Sequence, residues 1–179
     1  FFGITVREKN LYKKNPLIII GMDGRLSSPK LEKKLNEGLK NSGCEIYRIG
    51  LGPTPMLYFA SNYFKADGAI QVTGSHNPKD YNGFKIVLNQ ESFFGDDIQK
   101  LAYFAIKGYP KTYDGFSKFV EVNSKYVDAI LKPLKNVERH DFEKTIVWDC
   151  GNGASGPSVE MITKKIPGKH IVLYSDVNG

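Results

Sequence analysis

An aliphatic run, Leu17-Ile18-Ile19-Ile20, is closed by Gly21 and followed within ten residues by an amphipathic helical pattern. This pairing constrains the fold more than any other feature of the chain. Four apolar residues in succession suit a strand buried on both faces, as found in sheets covered by helices on both sides. After the strand at 17–21, Ser28-Pro29 reads as a helix start, with serine as the cap and proline at the first helical position. Leu31, Leu35 and Leu39 recur at i, i+4 and i+8 and form an apolar stripe. Lys30, Lys33, Lys34 and Lys40 take the wet side, and Gly43 is placed to end the helix. A strand at 45–49, a helix at 55–64 and a strand at 68–73 continue the alternation. Strands alternating with helices specify an α/β fold in which a mixed, mostly parallel sheet is sandwiched by helices.

A further strand is expected at 84–88, entered through the turn dipeptide Asn82-Gly83, and helices at 96–107 and 123–136. The charged, weakly hydrophobic stretch 135–144 reads as a linker. A strand at 145–150 then runs into Gly151-Asn152-Gly153-Ala154-Ser155-Gly156, a helix at 157–166 and a strand at 170–174. The pattern divides the chain into a first domain, 1–138, and the beginning of a second, similar α/β domain, 139–179. The chain opens on Phe1-Phe2-Gly3 without an initiator Met and closes on a turn-like Asp176-Val177-Asn178-Gly179, so an N-terminal fragment of a longer protein is expected.

With 41% hydrophobic residues and 25% charged among 179, a packed core is expected. No apolar run approaches membrane-spanning length, so no membrane partner is expected. Two cysteines, Cys44 and Cys150, cannot build a disulfide framework or a four-ligand zinc site, and they fit a reducing, cytoplasmic setting. The formal charge of +6 favours anionic partners. The lysines are scattered singly and in pairs without a nucleic-acid motif, so the expected partner is a phosphorylated small molecule and not nucleic acid. Nothing in the sequence specifies an oligomeric state.

The chemistry concentrates in residues 73–85, Thr-Gly-Ser-His-Asn-Pro-Lys-Asp-Tyr-Asn-Gly-Phe-Lys. The segment follows a strand, where open α/β sheets place their ligands. Gly74 permits a sharp turn, and Pro78 with Asn82-Gly83 gives the loop a defined shape. The Ser75 hydroxyl, His76 imidazole, Asn77 amide and Lys85 ammonium suit a phosphate-like anion, although a polar surface loop uses the same residue types. By the period-two rule Phe84, Ile86 and Leu88 share one face of the strand, and Lys85, Val87 and Asn89 the other. Ser75 and His76 are adjacent and not expected to face each other, and no Gly-x-Ser-x-Gly elbow is present, which argues against a serine hydrolase. Ser28 is expected to act only as a helix cap. The glycines of 151–156 suit either a phosphate cradle or a plain strand-to-helix turn.

Ser75-His76-Asn77-Pro78 followed by Tyr81-Asn82-Gly83-Phe84-Lys85 resembles the active-site serine loop of the α-D-phosphohexomutases, in particular the bacterial phosphomannomutase/phosphoglucomutase branch. Gly21-Met22-Asp23-Gly24-Arg25-Leu26-Ser27-Ser28 is similar to that family's Gly-Arg-Asp-x-Arg-x-Ser segment, with Met22 as a departure. Gly52-Pro53-Thr54-Pro55 and 147–153 resemble further segments of the family, in the same order. The resemblance implies interconversion of hexose 6-phosphate and hexose 1-phosphate, of mannose or glucose, through a phosphoserine and a hexose bisphosphate intermediate. Ser75 would carry the phosphoryl group, with His76 and Lys85 catalytic. Asp23, Arg25, Asn77, Tyr81 and Asn82 would support the loop and the substrate. The resemblance also implies one Mg²⁺, held by the phosphate on Ser75 and three aspartates of an Asp-x-Asp-x-Asp-Arg loop that this chain lacks. The chain by itself is therefore expected to be inactive. A phosphoglucosamine mutase-like enzyme and a non-catalytic phosphosugar-binding module are the alternatives.

Overall fold

A computed structural model describes residues 1–108, 113–136 and 144–178. The aliphatic strand at 17–21 lies inside the main sheet. β1 (Leu17–Met22) pairs in parallel with β2 (Glu45–Leu51) on one side and β3 (Gly68–Val72) on the other. β2 is followed outward by parallel β6 (Phe116–Phe119). On the other side, β3 is followed by antiparallel β4 (Phe84–Leu88) and then β5 (Glu91–Phe93), giving the order β5-β4-β3-β1-β2-β6. This is the mixed, mostly parallel sheet the alternation predicts.

The alternation of side chains along β1 divides the core between the two faces. Ile18 and Ile20 join Phe2, Val6, Leu39, Ile46, Ile70 and Leu88 under α1 (Phe2–Lys9) and α2 (Ser28–Asn41). Ile19 joins Ile49, Met56, Leu57, Ala60 and Val87 under α3 (Thr54–Tyr63), with Val122 alongside. The three isoleucines are completely buried. α4 (Asp96–Lys107) lies on the first side, with Leu101 packed against that core.

Several expectations change in detail. α1, β5 and β6 were not anticipated, because each is short and its apolar pattern is weak; β6 has only four residues and its two phenylalanines are exposed. The apolar stripe of α2 buries Leu39 fully and Leu31 and Leu35 only in part. Glu32 is as deeply buried as Leu39, 3% exposed, with both oxygens 2.7 Å from the Arg48 guanidinium on β2. A bidentate pair of this kind ties the helix to the sheet at a defined position. The helix at 123–136 divides into α5 (Asn123–Leu131) and a 3₁₀ turn, Lys132–Asn136, that contains Pro133, which has no N–H to continue an α-helical ladder. Most of the 135–144 linker lies outside the described residues.

β7 (Thr145–Asp149) and β8 (Lys169–Leu173) form a separate parallel pair joined by α6 (Gly156–Thr163), the βαβ unit read from the sequence. α6 packs on α5. The Ser158 hydroxyl donates to Asn123 Oδ1 at 2.6 Å, the Asn123 amide reaches Met161 Sδ at 3.2 Å, and Lys165 pairs with Asp128.

Because Ile20 lies at the centre of the first core with no exposure, Ile20→Ala should lower unfolding stability by about 2–5 kcal/mol. Urea titration monitored by circular dichroism checks this; an unchanged midpoint would show that the β1 core does not limit stability.

Candidate active site

The parallel strands β1, β2 and β3 end on the same side of the sheet, and the loops that follow them line one cleft of about 640 Å³. Asp23, Gly24 and Arg25 come from the loop after β1, Gly52, Pro53 and Thr54 from the β2–α3 turn, and Thr73, Ser75, His76 and Lys79 from the β3–β4 loop. Lys85 enters from β4, and residues 151–155 form another wall. Placement beyond the carboxyl ends of the strands follows from the fold.

Arg25 shapes the serine loop. Its Nη1 donates to the carbonyls of Pro78 and Tyr81 at 2.6 and 3.0 Å, and its Nη2 to those of Ser75 and Asn77 at 3.2 and 2.7 Å. Its Nε donates to Asp23 at 3.1 Å. A guanidinium has five N–H donors, and all are used. Gly74 is required by this closeness: a Cβ there would lie 2.5 Å from Arg25 Cζ and 2.7 Å from the Tyr81 carbonyl oxygen. Ser75 adopts a left-handed backbone, φ 54°, and its N–H donates to Thr73 Oγ1 at 2.9 Å. Its hydroxyl is exposed on the cleft and lies 3.4 Å from His76 Nδ1. Adjacent Ser75 and His76 thus approach one another after all, at the long end of hydrogen-bonding range, and the positive φ of Ser75 accounts for the turn.

Asp23 collects the hydrogen bonds behind the loop. It accepts from the backbone N–H groups of Arg25 and Gly74 at 3.1 and 3.2 Å and from the Ser28 hydroxyl at 2.6 Å. Burial alone would raise its pKa, but the bonds from Ser28, Thr73, Arg25 and Gly74 together outweigh that and hold the carboxyl below its ordinary value. Ser28 is therefore more than the expected cap. It is fully buried in the first turn of α2, behind the N-cap Ser27, and its hydroxyl serves Asp23. Asn82 Nδ2 donates to both Ser27 and Ser28, at 2.9 and 2.8 Å, which ties the far end of the loop to the same network.

The anticipated residues are thus brought together in different ways. Ser75, His76, Lys85, Asp23 and Arg25 line the cleft. Asn77 and Tyr81 contribute carbonyls to Arg25, while their side chains are exposed and lie outside the cleft lining. Lys85 stands opposite Gln71 in the β3–β4 pairing, on the face of the sheet that carries α3. Buried Gln71 in turn donates to the Gly52 carbonyl at 2.9 Å and holds the β2–α3 turn beside the cleft. Thr73, Thr54 and Lys79 also line the cleft without having been singled out. Lys79 could have been noticed from its place within the serine loop, and Thr54 from the Gly52-Pro53-Thr54-Pro55 segment that resembles the family.

The structure thus presents an α/β domain with an exposed serine and two lysines on one cleft at the carboxyl edge of its sheet. The family model described as "Phosphoglucomutase/phosphomannomutase, alpha/beta/alpha domain I" matches residues 2–111, and the chain belongs to that family. It is 34% identical to the phosphomannomutase/phosphoglucomutase of Pseudomonas aeruginosa over 185 aligned residues, covering 100% of this chain and 38% of that protein. It is also 34% identical to the phosphoglucomutase of Neisseria meningitidis serogroup B, covering 99% of this chain and 38% of that protein. The X-ray structure of a phosphoglucomutase/phosphomannomutase family protein from Burkholderia thailandensis superimposes with a TM-score of 0.83 at 32% identity, covering 99% of this chain and 39% of that one. The chain thus spans about 38% of the length of the curated relatives it matches.

The lowered pKa of Asp23 makes the loop pH-dependent. A carboxyl with a depressed folded-state pKa contributes stability above its unfolded value and loses it as pH falls through the folded one. The Gly74 amide resonance should therefore titrate with a midpoint below the ordinary aspartate value, about 3.9. Asp23→Asn should abolish that titration; a Gly74 shift unaffected by the substitution would break the assigned link.

Proposed function

We propose that this chain supplies the phosphoserine domain of an enzyme that interconverts hexose 1-phosphate and hexose 6-phosphate. The observation that carries the reading is the Ser75 hydroxyl, presented to the cleft on a loop whose backbone is gripped from behind by Arg25. Phosphoserine at position 75 donates its phosphoryl group to the free hydroxyl of a hexose phosphate. The Ser75 O–P bond breaks as the sugar O–P bond forms; the proton leaving the sugar hydroxyl is balanced by one gained at Ser75 Oγ, which becomes a free hydroxyl. The resulting bisphosphate turns over and returns its other phosphoryl group to Ser75. Such transfer depends on positioning and charge neutralisation more than on covalent work by the protein.

Placement in the cleft supports each role. Arg25 holds Ser75 in its left-handed conformation, and Lys85 neutralises charge on the transferring group or exchanges a proton with the sugar hydroxyl. His76, beside Ser75 Oγ, either takes part in proton transfer or orients the hydroxyl. Mg²⁺ would supply further charge neutralisation when bound. The residues here fit it poorly by themselves. The Asp23 oxygens are taken by hydrogen-bond donors, and no group of three or more His, Cys, Asp or Glu side chains gathers to hold a metal among the described residues. Remaining ligands would come from outside this chain. No helix among the described residues is long and apolar enough to cross a membrane, and a cytoplasmic setting accords with the phosphorylated substrate.

Peptide mass spectrometry of the active enzyme carrying this chain should find phosphate on Ser75; phosphate confined to Ser27 or Ser28 would sink the reading. The 179-residue chain alone should show no Mg²⁺-dependent mutase turnover in a coupled assay, and clear turnover would mean that the chain holds every group the reaction needs. In the active enzyme, Lys85→Ala should lower kcat by roughly 10²–10⁴-fold with folding little changed. A near-normal rate would remove Lys85 from the chemistry.

A further inference from the structure

The charged side chains lining the cleft are Asp23, Arg25, Lys79 and Lys85. Asp23 and Arg25 neutralise one another at 3.1 Å, and the Arg25 donors are all committed to Asp23 and loop carbonyls. Lys79 and Lys85 make no ion pair and no hydrogen bond among the described residues. The positive potential open to a ligand therefore comes from these two ammonium groups. They approach from different sides, Lys85 from β4 and Lys79 from the loop that carries Ser75.

The backbone around Lys79 is also fixed. The Pro78 carbonyl accepts from Arg25 Nη1 at 2.6 Å and from the Tyr81 N–H at 3.0 Å, and the Tyr81 carbonyl accepts from Arg25 at 3.0 Å. Lys79 thus projects a long, exposed side chain from a pinned turn at the rim of the cleft. A rim cation raises the local concentration of anions and governs salt-dependent capture, whereas a cation on the sheet stays close to the reacting group.

We propose that Lys79 is a capture residue: it contacts the phosphate monoester of the incoming hexose phosphate and holds it at the cleft mouth beside Ser75. This rests on the mutase reading and assigns Lys79 to binding, with Lys85 left to the chemistry. An ammonium acts here as a mobile point charge, so an arginine at the same place retains most of the effect.

The test is the affinity of the 179-residue chain for glucose 6-phosphate, with inorganic phosphate as a second probe, by isothermal titration calorimetry at low and at physiological ionic strength. Lys79→Gln should weaken binding of glucose 6-phosphate about tenfold at low salt and flatten its salt dependence, as expected for removal of one partly exposed charge. Lys79→Arg should stay within about threefold of the unsubstituted chain. Lys33→Gln, which removes the same charge from the exposed side of α2, should change the affinity less than twofold. Melting temperatures should be unchanged, since the Lys79 side chain is exposed and makes no hydrogen bond. Equal affinities for the Gln variant and the unsubstituted chain, equal losses in the Gln and Arg variants, or no binding by the unsubstituted chain would overturn the proposal. Phosphate on Ser75 together with an unaltered Lys79→Gln affinity would remove Lys79 and leave the mutase reading standing; absence of phosphate on Ser75 would remove that reading whatever Lys79 does.

Discussion

The site depends on the guanidinium of Arg25. Loop carbonyls normally turn to water, and an eleven-residue loop at the edge of a sheet has little internal reason to hold a single shape. Here four carbonyls turn inward on one side chain that is itself anchored by Asp23. A planar fork with fixed donor directions enforces geometry that a lysine, with one movable charge, would not. The left-handed conformation of Ser75 is unfavourable for a non-glycine residue in isolation, and this grip provides the surrounding structure that such a conformation needs.

The anchor works because it is tied to the most buried part of the molecule. Asp23 follows directly on β1, the central strand, and its N–H donates to the Val72 carbonyl of β3 at 2.9 Å. Ser28, in the first turn of α2, donates to Asp23 at 2.6 Å. The isoleucines of β1 set where that strand ends, and the end of the strand sets where Asp23, Arg25 and thereby Ser75 stand. Packing and chemistry are joined over three residues of sequence.

Much of this was legible in the residue order. Alternating strand and helix patterns identified the parallel core, since a run such as 17–20 has few other homes. The serine loop stood out because glycine, proline and Asn-Gly mark defined turns. What escaped were features whose cause is not local. Glu32 sits on a face that periodicity assigns partly to leucine, and it is buried because Arg48 meets it from a strand sixteen residues on. Ser28 looked like a cap by position, yet its hydroxyl donates to Asp23, five residues upstream, and accepts from Asn82, which only folding brings across from the β3–β4 loop. Asn77 and Tyr81 were correctly located in the loop, but a sequence cannot tell a residue that offers its side chain from one that offers its carbonyl.

The seam between α5 and α6 has a consequence for ligand size. One wall of the cleft, residues 151–155, precedes α6, whose position is tied to α5 by the Asn123–Ser158 contact at 2.6 Å. Hydroxyl-to-amide contacts are directional, so these helices have one favoured alignment where a purely greasy seam would tolerate sliding. The width of the cleft is therefore gauged by two helices that do not line it. Evolution could retune the bore of the cleft from that remote joint, leaving the serine loop and its cations as they are.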